Sequence, residues 1–186
     1  GGDSVECIVT PFDGTESGTP MSDTLTVSNT APVLADVSLG PDPAYEATTL
    51  TCSAGSATDA DGDTLSYSTT WSVNGGEAAA ITDTLTGSDF NKGDDVYCSV
   101  TPSDGTDSGA AVDSNTVTIQ NTAPTIGSVA IDPNPATATD TLTCSWTDFS
   151  DDDGDSDAST VNWQINSVDS GTSTMLMSGF VGGDTV

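Results

Sequence analysis

Two short acidic runs are the residues of this chain best suited to chemistry. Asp59-Ala60-Asp61-Gly62-Asp63 sets three carboxylates on alternate residues; Asp151, Asp153 and Asp155 repeat the pattern around Gly154, enriched by Asp148, Asp152 and Asp157. Carboxylates at that spacing, beside a glycine that permits a sharp turn, can wrap a hard cation with oxygen ligands. The match is to the first half of an EF-hand loop only. The twelfth residue counted from Asp59 is Thr70, where that loop needs a bidentate glutamate. A helix–loop–helix site is therefore rejected, and a solvated acidic turn is the plain alternative. Catalysis has little else to draw on. There is no His or Arg, the single basic side chain is Lys92 in the polar turn Asn91-Lys92-Gly93-Asp94, and no Ser sits in a nucleophile-elbow context. The chain is not expected to be an enzyme.

The acidic runs belong to a repeat. Asn29-Thr30-Ala31-Pro32 recurs as Asn121-Thr122-Ala123-Pro124, Leu50-Thr51-Cys52 as Leu142-Thr143-Cys144, and Trp71 as Trp163, each 92 residues on. Thr10-Pro11-Phe12-Asp13-Gly14 recurs as Thr101-Pro102-Ser103-Asp104-Gly105, 91 residues on. Self-similarity at a fixed period marks an array of stacked units, a device for making length. The chain is expected to start and stop inside a repeat. Residues 1–30 hold the C-terminal part of one unit, 31–122 a complete unit, and 123–186 the N-terminal part of a third.

Composition restricts the partners. One basic residue stands against 29 acidic ones, a formal net charge of −28. That charge repels nucleic acid and anionic lipid, and it opposes compaction unless salt or divalent cations offset it. No apolar run is long enough to insert in a membrane as a helix.

Four cysteines fall at two equivalent pairs of positions, Cys52 with Cys144 and Cys7 with Cys98. Along the complete unit the order is Cys52, Trp71, Cys98, which suggests an inter-sheet disulfide packed on an indole and hence an oxidising compartment. Four free buried thiols are the alternative. A Cys52–Cys98 bond would contribute on the order of 3–4 kcal/mol by restricting the unfolded chain. Cys7 and Cys144 would each pair with a cysteine outside this copy.

Strands must position these groups. In residues 65–73, Leu65, Tyr67, Trp71 and Val73 share one face, and Ser66, Ser68, Thr70 and Ser72 the other. Leu50, Cys52 and Ala54 alternate likewise, as do Val96, Cys98 and Val100, so both cysteines point inward. Strands are expected near 34–39, 49–54, 65–73, 83–87, 95–101 and 112–119. Val112 has the wrong parity for the last, which predicts an interruption near Asp113-Ser114. Short strands with polar turns argue for an all-β sandwich.

The set Asp59 to Asp63, Tyr67, Trp71, Asn74-Gly75, Val96-Tyr97 and Ser103-Asp104-Gly105 resembles the immunoglobulin-like PKD and cadherin-like repeats of large bacterial surface proteins. The departures are the two cysteines and a Tyr67-to-Trp71 spacing of four rather than two; in the second copy Asp157 and Ser159 replace Leu65 and Tyr67, which shortens that strand. The resemblance implies tandem immunoglobulin-like β-sandwich repeats of about 92 residues in an extracellular or cell-surface filament or adhesin stalk. Many such repeats bind calcium. It further implies that Asp104 and Asp107 lie at the same end as Asp59, Asp61 and Asp63, beside the Asn29–Pro32 linker, where calcium would stiffen the junction. Asp13 and Glu16 would be their equivalents in the first copy. The implied partners are neighbouring repeats or copies of the chain head to tail. A carbohydrate-binding surface module is the rival reading; it needs exposed aromatics, and parity turns the tryptophans inward, leaving Tyr97 outward and Tyr45 undetermined.

Overall fold

Alternating apolar and small polar residues dictate strands, and the computed structural model, which describes residues 1–186, contains strands and no helix. The chain divides into two compact units, residues 1–120 and 121–186.

The first unit opens with a hairpin of β1 (Ser4–Val9) and β2 (Met21–Thr26), paired from Ser4↔Thr26 to Val9↔Met21. Short pieces follow: β3 (Val33–Leu34), β4 (Val37–Gly40), β5 (Ala44–Tyr45), β6 (Leu50–Ala54) and β7 (Ala57–Thr58). β8 (Ser66–Val73) reverses into β9 (Gly76–Ala78) through Asn74-Gly75. Both turn residues have positive φ, the conformation whose twist matches a two-residue hairpin and which Asn and Gly tolerate best. β10 (Thr84–Leu85), β11 (Asp95–Ser103), β12 (Val112–Asp113) and β13 (Val117–Gln120) complete the unit.

These strands make two main sheets. One has the order β10-β6-β4; the other has the order β5-β13-β11-β8-β9, with β12 also on β11. Neighbours within them run antiparallel, except that β5 runs parallel to β13. β3 and β7 form a small ladder of their own. β11 shows strict alternation: Val96, Cys98, Val100 and Pro102 are buried and the residues between them are not. Its inward face meets Leu39, Leu50, Leu85 and Cys52 of the other sheet in one core with Trp71, Phe90, Val117 and Ile119.

The expected disulfide is present. Cys52 of β6 and Cys98 of β11 are bonded, with Cα atoms 6.2 Å apart. Trp71 stands opposite Cys98 in the β8–β11 register, fully buried, and its Nε1 donates to the Thr82 carbonyl at 2.8 Å. The last strand breaks near Asp113-Ser114, as Val112's parity predicts. The Ser114 hydroxyl accepts the Cys98 N–H and the Ser114 N–H donates to the Cys98 carbonyl.

Two expected core positions are exposed, and Leu65 and Val73 are half-buried. Tyr67 is 49% exposed, because β9 covers only Trp71–Val73 and leaves the β8 edge beside Tyr67 open. Ala54 is also exposed, at the far end of β6 beyond its pairing with β10.

In the second unit β14 (Ser128–Asp132), β15 (Leu142–Thr147) and β18 (Met175–Leu176) form one sheet. β16 (Trp163–Ile165) and β17 (Val168–Gly171) form a hairpin across Asn166-Ser167, again with both residues at positive φ. β16 has three residues where β8 has eight, the shortening that Asp157 and Ser159 imply. Leu142, Trp163, Leu176 and Phe180 make a small core.

Candidate metal centre and linker anchor

The Asp59–Asp63 loop folds around its own first carboxylate. Asp59 Oδ1 accepts the Asp61 and Asp63 N–H groups at 2.9 and 3.1 Å. Gly62, at φ 79°, takes a left-handed conformation that a side chain would strain. This coil turns the three carboxylates toward one another: one oxygen each from Asp59, Asp61 and Asp63 lies within 4.8 Å of the others. Asp59 Oδ2 is buried and has no hydrogen-bond donor. A desolvated carboxylate oxygen without a partner is costly, and a cation would satisfy it. Three converging hard oxygens fit a divalent ion of the calcium or magnesium type better than a soft one.

The loop's second task is to hold the linker. Asp61 Oδ2 accepts the Thr30 N–H at 2.7 Å. From the loop after β11, Asp104 and Asp107 each accept from the Asn29 side-chain amide, at 2.8 and 2.9 Å. So Asp104 and Asp107 reach the linker, and the converging carboxylate group is Asp59, Asp61 and Asp63. Asp104 Oδ1 in turn accepts the Thr106 and Asp107 N–H groups, which orders that loop. Gly109 closes the contact: a Cβ there would strike the Pro32 carbonyl. Gly109→Ala is therefore expected to dislodge the linker. Faster proteolysis between residues 27 and 33, with β6–β11 unchanged by circular dichroism, would be the result; unchanged proteolysis would refute it.

Ninety-two residues on, the loop's hydrogen bonds repeat, while the carboxylate convergence is shown for Asp59, Asp61 and Asp63 and not for Asp151, Asp153 and Asp155. Asp151 Oδ1 accepts the Asp153 and Asp155 N–H groups, and Asp153 Oδ2 accepts the Thr122 N–H at 2.5 Å. Gly154 has φ 74°, and here the buried oxygen without a donor is Asp153 Oδ1. Asp13 repeats Asp104's turn, accepting the Thr15 and Glu16 N–H groups. Cys7 is free and exposed; Cys144 is free and half-buried. Sequence spacing did not point to Asn29, whose amide joins Asp104 to Asp107. Its recurrence as Asn121 was the available signal.

Hydrogen bonds set the charge state of the anchor. The Asp107 backbone N–H, the Asn29 amide and the Thr106 N–H hold Asp104 below the ordinary aspartate value of 3.8. A carboxyl depressed in the folded state stabilises that state above its unfolded value and ceases to do so as pH falls through the folded one. Linker docking is thus expected to persist at pH 5 and to weaken progressively below 3.8, as Asp104 takes up its proton. Exchange of the Asn29 side-chain amide, which Asp104 accepts, reads this directly, and protection that does not change as pH falls from 3.8 to the point of acid unfolding would contradict it.

No protein-family model matches the chain, and no curated protein matches it. Fold and site together define an all-β, disulfide-bonded protein with an acidic triplet that could hold a metal ion. The disulfide is compatible with an extracellular location, and no helix is long and apolar enough to cross a membrane.

Proposed function

We propose that this chain is a segment of an extracellular stalk or filament of immunoglobulin-like repeats, stapled by disulfides and stiffened at its junctions by calcium, with a mechanical rather than catalytic task. One observation carries the reading: each of two copies ties its incoming linker to the middle aspartate of its acidic loop, Thr30 to Asp61 and Thr122 to Asp153. A loop that grips the linker and gathers carboxylates beside it couples ion binding to junction stiffness. The parallel β5–β13 pairing at the rim of an otherwise antiparallel sheet, facing β10-β6-β4, supports the immunoglobulin-like assignment. On this reading the chain is of the same kind as the PKD and cadherin-like surface repeats that it resembles.

Bound calcium would neutralise carboxylates whose mutual repulsion opposes folding. Extracellular modules of this type bind it at about 10⁻⁴–10⁻³ M. At a hundredfold excess over Kd the gain is about 2.7 kcal/mol. Calorimetry should show binding and a raised melting temperature, both lost in an Asp59→Asn/Asp63→Asn variant. No heat and no shift, or a shift equal in the variant, would refute calcium stiffening. The carbohydrate-binding alternative draws on exposed Tyr67 and Tyr45, while Trp71 and Trp163 are buried. Retention on a glycan array that Tyr67→Ala abolishes would favour it.

A further inference from the structure

We infer that the outer face of strands β9, β8, β11 and β12 is a groove for a short neutral oligosaccharide, with Ser72 in its floor, Tyr97 as its stacking ring and Glu77 and Asp113 at its two ends. The inference goes beyond the stalk reading and does not depend on it. A groove of about 420 Å³ runs over this face, and Thr70, Ser72, Glu77, Tyr97, Ser99 and Asp113 line it. The strand register sets them in two rows. Glu77, Ser72 and Tyr97 stand side by side across β9, β8 and β11. Thr70, Ser99 and Asp113 do so one step along, across β8, β11 and β12. Parity turns this face away from the core that Trp71, Cys98 and Val100 enter.

Two independent observations point to a ligand. Ser72 is only 9% exposed, and its hydroxyl is buried without a hydrogen-bond partner. A buried hydroxyl left unpaired is costly. Tyr97 and Glu77, its neighbours across the register, are side chains of the open face, so a ligand that displaces them meets this hydroxyl. The second observation is the corresponding hairpin 92 residues on. There Asp169 takes the place of Glu77, Gln164 that of Ser72 and Asn162 that of Thr70. Both amides donate to Asp169 Oδ1, at 3.1 Å each, so that hairpin satisfies its carboxylate internally. In the first unit hydroxyls replace the amides. The Thr70 hydroxyl turns to the Ser99 carbonyl at 3.5 Å, the Ser72 hydroxyl bonds nothing, and neither reaches the exposed Glu77.

The lining selects the ligand. Carboxylates accept hydrogen bonds, serine and threonine hydroxyls donate and accept, and tyrosine offers an apolar ring with a polar tip. A sugar matches this set: neighbouring hydroxyls donate in pairs to a carboxylate, and the C–H face of its ring packs on an aromatic one. Three strand spacings separate the Glu77 and Asp113 backbones, about 14 Å, so no single cation takes both carboxylates. No cationic side chain lines the groove and the net charge is −28, which excludes anionic glycans. A peptide strand needs open backbone donors, whereas β8 is paired on both sides at Ser72.

The test is a nuclear magnetic resonance titration of the 186-residue chain with cellotriose, maltotriose, mannotriose and triacetylchitotriose, each to about 10 mM, tenfold above a millimolar Kd. At least one sugar should shift the backbone amides of Ser72, Glu77, Tyr97 and Ser99 together. Tyr97→Ala and Glu77→Gln should each weaken binding about tenfold. Thr70→Asn/Ser72→Gln, which copies the second hairpin, should abolish it by giving Glu77 internal donors. Tyr67→Ala should change nothing, since Tyr67 lies on the other face of β8. Melting temperatures show whether each variant is folded, and the exposed, isosteric Glu77→Gln decides the matter if the double variant does not fold. No shift at these amides with any of the four sugars, shifts that survive both Tyr97→Ala and Glu77→Gln, or binding only of a basic peptide that high salt removes would each overturn the inference. Sugar binding without a calcium effect keeps the groove and removes the ion; a calcium effect without sugar binding does the reverse.

Discussion

Removing the Cys52–Cys98 bond is expected to unfold or nearly unfold the first unit. The bond spans a sequence separation of 46, so its loss frees a long loop in the unfolded state, at a cost of about 4 kcal/mol in the chain-entropy account. Total stability of a domain is about 5–15 kcal/mol. This unit begins low in that range, because the chain carries a net charge of −28 and a core of modest size. Cys52→Ala/Cys98→Ala, or reduction by a phosphine, should lower the melting temperature by on the order of 15–30 °C, taking about 4–8 °C per kcal/mol for a small domain. Added salt should recover part of the loss by screening the repulsion. A double variant that melts within a few degrees of the parent would show that packing alone suffices. The free Cys7 provides an internal control, since it lies on the exposed hairpin and its replacement by Ser should leave the first unit's melting unchanged.

Trp71→Ala should be nearly as damaging. The indole is buried against the disulfide strand and touches both sheets' core residues. Truncation of a buried tryptophan costs about 3–5 kcal/mol through lost transfer energy and the cavity left behind. It also strips the Thr82 carbonyl of its donor. Trp71→Phe separates the two effects: most of the ring volume stays, and the hydrogen bond goes, for about 1–3 kcal/mol. Urea unfolding followed by circular dichroism would resolve the three proteins. Equal midpoints for Trp71→Ala and the parent would refute the packing account; equal midpoints for Trp71→Ala and Trp71→Phe would assign the whole effect to the hydrogen bond. Trp163 repeats the arrangement with the Ser173 carbonyl at 2.7 Å, in a core closed by fewer strands. Its truncation is expected to dissolve the second unit's core.

Much of this was legible in the residues themselves. Strand parity in 50–54 and 96–100 placed both cysteines inward, and the bond exists. The wrong parity of Val112 foretold the break between β12 and β13. Asp59, Asp61 and Asp63 converge as their spacing and Gly62 require. Tyr67 marks where such reading stops. Its parity matches Trp71, yet only Trp71 has β9 alongside, so one is sealed and the other half open. Parity fixes which side of a strand a residue faces; it does not fix whether anything lies there.

The same division separates the acidic loop from its task. Alternation, turn residues and the coil of Asp59 around its neighbours are set by a few adjacent residues, so the sequence alone determined them. That Asp61 grips Thr30, and that Asp104 and Asp107 share one amide of Asn29, depends on segments 31 to 78 residues apart meeting at one end of the sheets. Only the tertiary structure decided those contacts, because no local rule limits which distant backbone N–H or amide an exposed carboxylate will find.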